Sequence, residues 1–152
     1  MMRLKVGDKI PDFKATDSDG NTFESENFVG KKPLVIYFYP KDNTPGCTAQ
    51  ACSFRNKYQD FKDLGAEVIG ISSDNETSHQ KFSKQFNLPF ILLSDKEKKI
   101  KNLFGVKDML FGIIPGRVTY VADKNGIIKM IFDSALATKH IPKALEAIKR
   151  LV

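Results

Sequence analysis

Residues 34–39 (Leu-Val-Ile-Tyr-Phe-Tyr) are apolar without interruption, so a strand there has no face to offer to water. A strand buried on both faces belongs in the middle of a parallel sheet with helices on each side. Pro40 ends it. Residues 67–72 (Glu-Val-Ile-Gly-Ile-Ser) and 90–93 (Phe-Ile-Leu-Leu) read as further strands. Helical spacing fills the intervals. Ala51, Phe54, Tyr58 and Phe61 make one apolar face of a helix running from Thr48 to about Leu64, with Gly65 as its stop. Phe82 and Phe86, four apart, mark a second helix over 76–86, and 98–104 reads as a short third one. Asp19-Gly20 turns residues 13–16 back onto 22–23, and 123–126 turns 117–122 back onto 127–132. The last helix, 142–151, carries Ala144, Leu145, Ile148 and Leu151 on one face, with Pro142 in its first turn.

The order is hairpin, βαβαβα, hairpin, helix. Such alternation predicts an α/β fold with a central, mostly parallel sheet flanked by helices. It is a thioredoxin-like topology with an N-terminal β-hairpin extension. The 152 residues suit one domain, 1–152, large enough to bury a core without metal or disulfide staples. No apolar stretch nears the roughly 20 residues that cross a bilayer, and the first eight residues lack a leader-like apolar run, so a cytoplasmic protein is expected. The net charge of +6 raises nucleic acid as a partner. The basic residues nowhere form a stripe interleaved with aromatics, and the lysine-rich run at 96–101 reads as a solvated helix face, so neither nucleic acid nor membrane is expected. Two cysteines cannot frame a disulfide scaffold, and no zinc-ligand spacing exists, so no metal is expected. His79 and His140 read as surface residues.

The chemistry gathers at residues 39–52 (Tyr-Pro-Lys-Asp-Asn-Thr-Pro-Gly-Cys-Thr-Ala-Gln-Ala-Cys). A buried strand ends, a turn-rich loop follows, and Cys47 falls at the first turn of a helix. Free N–H groups and the positive dipole end favour a thiolate there. A free thiol of pKa about 8.5 is roughly 3% ionised at pH 7, so ionisation alone gains at most about 30-fold. Lowering that pKa to about 6 takes about 3.4 kcal/mol, and a helix terminus supplies at most about 2. A cation must supply the rest, and arginine suits the task. Larger accelerations need donors aimed at the leaving oxygen; Thr44 offers a hydroxyl in the same loop.

Pro40, Thr44 and Cys47 in this spacing resemble the active-site motif of peroxiredoxins. The string Thr44-Pro45-Gly46-Cys47-Thr48, with Cys52 five residues after Cys47, is similar to the Q-type, or bacterioferritin comigratory, branch. Residues 30–39, 69–72, 92–95 and 115–121 resemble further family segments, so the likeness runs through essentially the whole chain. It implies a thioredoxin-dependent thiol peroxidase that needs no cofactor and acts in antioxidant defence. It also implies roles. Cys47 attacks the O–O bond and becomes a sulfenic acid; Thr44 hydrogen-bonds thiolate and peroxide; Arg117 supplies the cation; Pro40 shields the sulfenate. Cys52 then resolves it as an intramolecular disulfide, which thioredoxin or a related dithiol protein reduces. Gln50 stands where the family often carries Glu.

One consequence follows from helix geometry. Residues five apart are separated by about 7.5 Å along the axis and about 140° around it, and a disulfide needs Cα atoms within about 6.8 Å. The first turns of an intact helix therefore have to unwind for Cys47 and Cys52 to join. Other readings stand beside the peroxidase. A dithiol–disulfide oxidoreductase on the same fold normally uses Cys-x-x-Cys, and here four residues intervene. A non-enzymatic protein-binding module would make Cys47 incidental. Arg55, on the same helix as Cys47, reads as catalytic or structural. The apolar run at 109–115 reads as peroxide entrance, dimer contact or ordinary packing. A monomer or weak homodimer is expected, with modest sensitivity to over-oxidation, since no Tyr-Phe tail or Gly-Gly-Leu-Gly loop occurs.

Overall fold

The computed structural model of the chain describes residues 3–108 and 116–151. Seven strands form one sheet: β1 (Lys14–Asp17), β2 (Thr22–Glu24), β3 (Leu34–Phe38), β4 (Glu67–Ser72), β5 (Ile91–Ser94), β6 (Val118–Ala122) and β7 (Ile128–Asp133). Their order across the sheet is β2-β1-β5-β4-β3-β6-β7. The helices are α1 (Pro45–Asp63), α2 (Glu76–Phe86), α3 (Lys99–Phe104) and α4 (His140–Lys149), with short 3-10 turns at Ser25–Asn27 and Ala137–Lys139.

The pleat explains the uninterrupted apolar run in β3. Val35 and Tyr37 join Phe54, Phe61, Phe82 and Ile148 in the core under α1, α2 and α4. Leu34, Ile36 and Phe38 join Phe13, Phe104 and Tyr120 in the core on the other face, where α3 lies. Alternate residues therefore feed two separate cores, the condition that excludes polar residues from a central strand. Gly70 in β4 marks a close approach: a Cβ there would sit 2.9 Å from the Tyr37 hydroxyl.

The sheet is thioredoxin-like but mixed. Only β3–β4 and β4–β5 pair in parallel; β1–β2, β1–β5, β3–β6 and β6–β7 are antiparallel. The expectation of a mostly parallel sheet thus holds at the centre alone. The two hairpins account for both edges, since a tight turn can only pair strands antiparallel. β6 runs antiparallel to β3, with Val118 paired with Phe38. That register puts Arg117 beside the chain leaving β3. No helix among the described residues is long and apolar enough to cross a membrane.

Candidate active site

The strand-to-helix junction after β3 builds the site. α1 begins three residues earlier than its apolar spacing indicates, with Thr44 as N-cap in extended conformation and Pro45 at the first helical position. Proline is favoured there because its missing N–H would have no intrahelical acceptor. Cys47 therefore occupies the first turn, where free N–H groups and the dipole favour an anion. Cys47 is 1% exposed and belongs to the buried cluster that also holds Tyr37, Tyr39 and Phe54.

Arg117 reaches this sulfur from 70 residues away. Its Nη2 donates to Cys47 Sγ at 3.4 Å, and its Nη1 donates to Oε1 of the fully buried Gln50. Arg117 itself is 6% exposed. A buried guanidinium needs acceptors, and among the described residues its Nε has none. The cation that the electrostatic argument demanded is thus in place. It approaches over Gly46, where a Cβ would stand 3.2 Å from Nη2. Gly46 is part of the site through its lack of a side chain, a role the motif alone did not reveal. Gln50 matters as a neutral acceptor: it orients the guanidinium without cancelling its charge.

The remaining expected residues are placed less directly. The Thr44 hydroxyl donates to the Lys41 carbonyl at 2.9 Å, and its bond there is to the backbone rather than to Cys47. With its proton so committed, Oγ1 still offers lone pairs. Pro40 is half-buried and lines a small cleft with Ser73, Lys98 and Gly116. Cys52 is half-buried, five residues along α1, with both thiols free. Arg55 is structural: its Nη1 donates to the Phe86 carbonyl at 2.7 Å, tying α1 to the last turn of α2. The apolar run at 109–115 lies outside the described residues.

Both histidines correct the surface expectation, for each is fully buried. His140 Nδ1 accepts from the Thr119 hydroxyl at 2.7 Å, and its Nε2 donates to the Ser134 carbonyl at 2.7 Å. Burial holds its pKa below the usual histidine value, opposed by the Ser134 bond. His79 lies 2.7 Å from Asp42 and 3.0 Å from the Leu93 carbonyl. The signal for both was helical spacing. His79 precedes Phe82 and Phe86 by three and seven residues, and His140 precedes Ala144 and Ile148 by four and eight. Each histidine therefore sits on its helix's apolar face, where a ring with two satisfied nitrogens is tolerated. Asp42, Asp74 and His79 bring ligand-type atoms within 4.8 Å of one another.

Comparison with known proteins identifies the family of this fold. Residues 6–131 match the AhpC/TSA family. The chain is 47% identical over 150 residues to a chloroplastic peroxiredoxin Q of Populus jackii, covering 98% of this chain and 70% of that protein. Its likeness to the chloroplastic peroxiredoxin Q of Arabidopsis thaliana is 46% over 148 residues, 97% of this chain and 68% of the relative. Among solved structures, peroxidoxin BcpB from Mycobacterium tuberculosis superposes with a TM-score of 0.90 at 31% identity, covering 99% of each chain. A bacterioferritin comigratory protein from Xanthomonas campestris, described with alkyl peroxide reduction activity, gives 0.83 at 29% identity over 91% of this chain and 90% of that one. A thiol at a helix start under a buried arginine, on this fold and with these relatives, leads to one conclusion: the chain belongs to the AhpC/TSA family, in its peroxiredoxin Q branch.

Proposed function

We propose that this protein is a thiol peroxidase that reduces hydrogen peroxide and organic hydroperoxides through Cys47. The observation that carries the reading is the Arg117–Cys47 contact at the first turn of α1, beside a glycine that gives the guanidinium room. The cation and the helix terminus both favour thiolate over thiol, and the same N–H groups and guanidinium can receive negative charge as the O–O bond breaks. The thiolate attacks one peroxide oxygen. An S–O bond forms, the O–O bond breaks, and the departing oxygen leaves as water or alcohol after taking a proton. Cys47 is then a sulfenic acid, two electrons oxidised. Thr44 accepts a hydrogen bond from the bound peroxide, and Pro40 limits water at the sulfenate. The Cys52 thiolate attacks the Cys47 sulfur; an S–S bond forms, the S–O bond breaks, and the hydroxide leaves as water after taking a proton.

A dithiol protein of the thioredoxin type returns the two electrons. The Xanthomonas protein's alkyl peroxide activity supports including organic hydroperoxides. The enzyme works without a bound cofactor as a monomer or weak homodimer, with neither nucleic acid nor membrane as partner. A reducing compartment, the cytoplasm, suits a dithiol that must be regenerated in every cycle; the plant relatives are named as chloroplastic. The test is peroxide-dependent NADPH oxidation coupled through thioredoxin and its reductase, with Cys47→Ser as control. Loss of turnover in the variant is expected. Insulin reduction with no peroxide consumed by the wild type would overturn the reading in favour of a dithiol oxidoreductase.

A further inference from the structure

The loop between β3 and α1 is held from behind by a buried polar network that the thiol chemistry does not use. Asp42 is 5% exposed and His79 fully buried. The Tyr39 hydroxyl donates to Asp42 Oδ1 at 2.6 Å, and the Ser78 hydroxyl donates to Oδ2 at 2.8 Å. His79 Nδ1 lies 2.7 Å from the same Oδ2. The Asp42 main-chain N–H donates to Asp74 Oδ2 at 2.8 Å, which also accepts from the Ser72 hydroxyl at 2.7 Å. Burial, reinforced by Asp42, holds the Tyr39 hydroxyl well above its usual pKa, so it stays a donor.

Proton accounting defines the pair. The Leu93 carbonyl can only accept, so His79 Nε2 carries a proton toward it, 3.0 Å away. One further proton lies between Nδ1 and Oδ2, and the pair is neutral overall whichever atom holds it. Both Asp42 carboxylate oxygens and both His79 ring nitrogens are already engaged, so the cluster is a clamp. A buried carboxyl with this many partners is costly unless all are met. What it holds is the route to the sulfur. Asn43 follows in the left-handed region at φ 62°, and Thr44 follows as the N-cap of α1.

We propose that Asp42 and His79 are positioning residues: together they lock the Tyr39–Thr44 loop so that the Thr44 side chain is preset for peroxide reacting at Cys47. The proposal rests on Cys47 being the reacting thiol. Misplacing reacting groups by about 1 Å costs on the order of 100-fold. Asp42 and His79 hydrogen-bond neither Arg117 nor Cys47, so alkylation of the thiol serves as the control.

The experiment compares two reactions of Cys47 at one pH in the full-length protein: oxidation by hydrogen peroxide and alkylation by iodoacetamide. Asp42→Ala should slow oxidation between about 10- and 100-fold, with alkylation nearly unchanged. Asp42→Asn should restore most of the peroxide rate, because its carbonyl still accepts from Tyr39 and its amide can donate to a neutral His79. His79→Gln, which cannot meet Asp42 and the Leu93 carbonyl together, should behave like Asp42→Ala; if Asp42→Ala does not fold, this variant decides. Circular dichroism confirms the fold in each case. Folded variants that keep the wild-type peroxide rate overturn the proposal, and so do variants whose two rates fall together. A wild type inert to peroxide would instead remove the reading of Cys47 itself.

Discussion

Formation of a Cys47–Cys52 disulfide is expected to melt the start of α1 and to stop at Phe54. In the intact helix the two Cα atoms stand about 8.7 Å apart, from a rise of 1.5 Å per residue and a radius of about 2.3 Å. Disulfides need about 4.4–6.8 Å with the Cβ atoms facing. The main-chain bonds donated by residues 48–52 to carbonyls 44–48, beginning with Thr48 to Thr44 at 2.8 Å, span this segment and must open. At about 1 kcal/mol net for each bond, the loss is roughly 5 kcal/mol. Going further costs more per residue. Phe54 is fully buried and stacked on Tyr37 with centroids 4.6 Å apart, and releasing a buried phenylalanine costs about 3–5 kcal/mol. Amide hydrogen exchange of the dithiol and disulfide forms reads the boundary. Amides 48–52 should exchange up to about four-thousandfold faster in the disulfide form, while amides 57–63 keep their protection. Equal protection through 48–52 in both forms would refute the geometric reasoning, and loss extending to residue 63 would refute the anchoring by Phe54.

Gly46→Ala should separate activity from stability. Alanine at this helical position is intrinsically stabilising by about 0.4–1 kcal/mol, yet its Cβ would press on Arg117 Nη2 from 3.2 Å; the peroxide rate should fall while the melting temperature does not. Cys52→Ser should consume one equivalent of peroxide per chain and then stall, measured by a stoichiometric burst without steady-state NADPH oxidation. His140 has a folded pKa depressed by burial. Its contribution to stability is therefore present above the unfolded value of about 6.5 and is lost as pH falls through the depressed folded value. Urea midpoints should drop over that acidic window, and His140→Gln should flatten the slope.

Much of the site was legible because it is local. A strand buried on both faces, a proline, a turn-rich loop and a cysteine at a helix start all lie within residues 34–47, and the apolar face of α1 was readable at Ala51, Phe54 and Phe61. The histidines show where reading by residue type fails. Their spacing put them on buried faces, but polar identity outweighed periodicity in the surface expectation.

Local patterning decided which residues form strands and helices and which face of each is buried, because side-chain period alone encodes that choice. Direction and partnership came from elsewhere. The antiparallel entry of β6, the arrival of Arg117 at Cys47 and the pairing of Asp42 with His79 join residues 37 to 88 positions apart. No periodicity records such distances; they are settled only when the sheet pairs and the two cores pack on its faces.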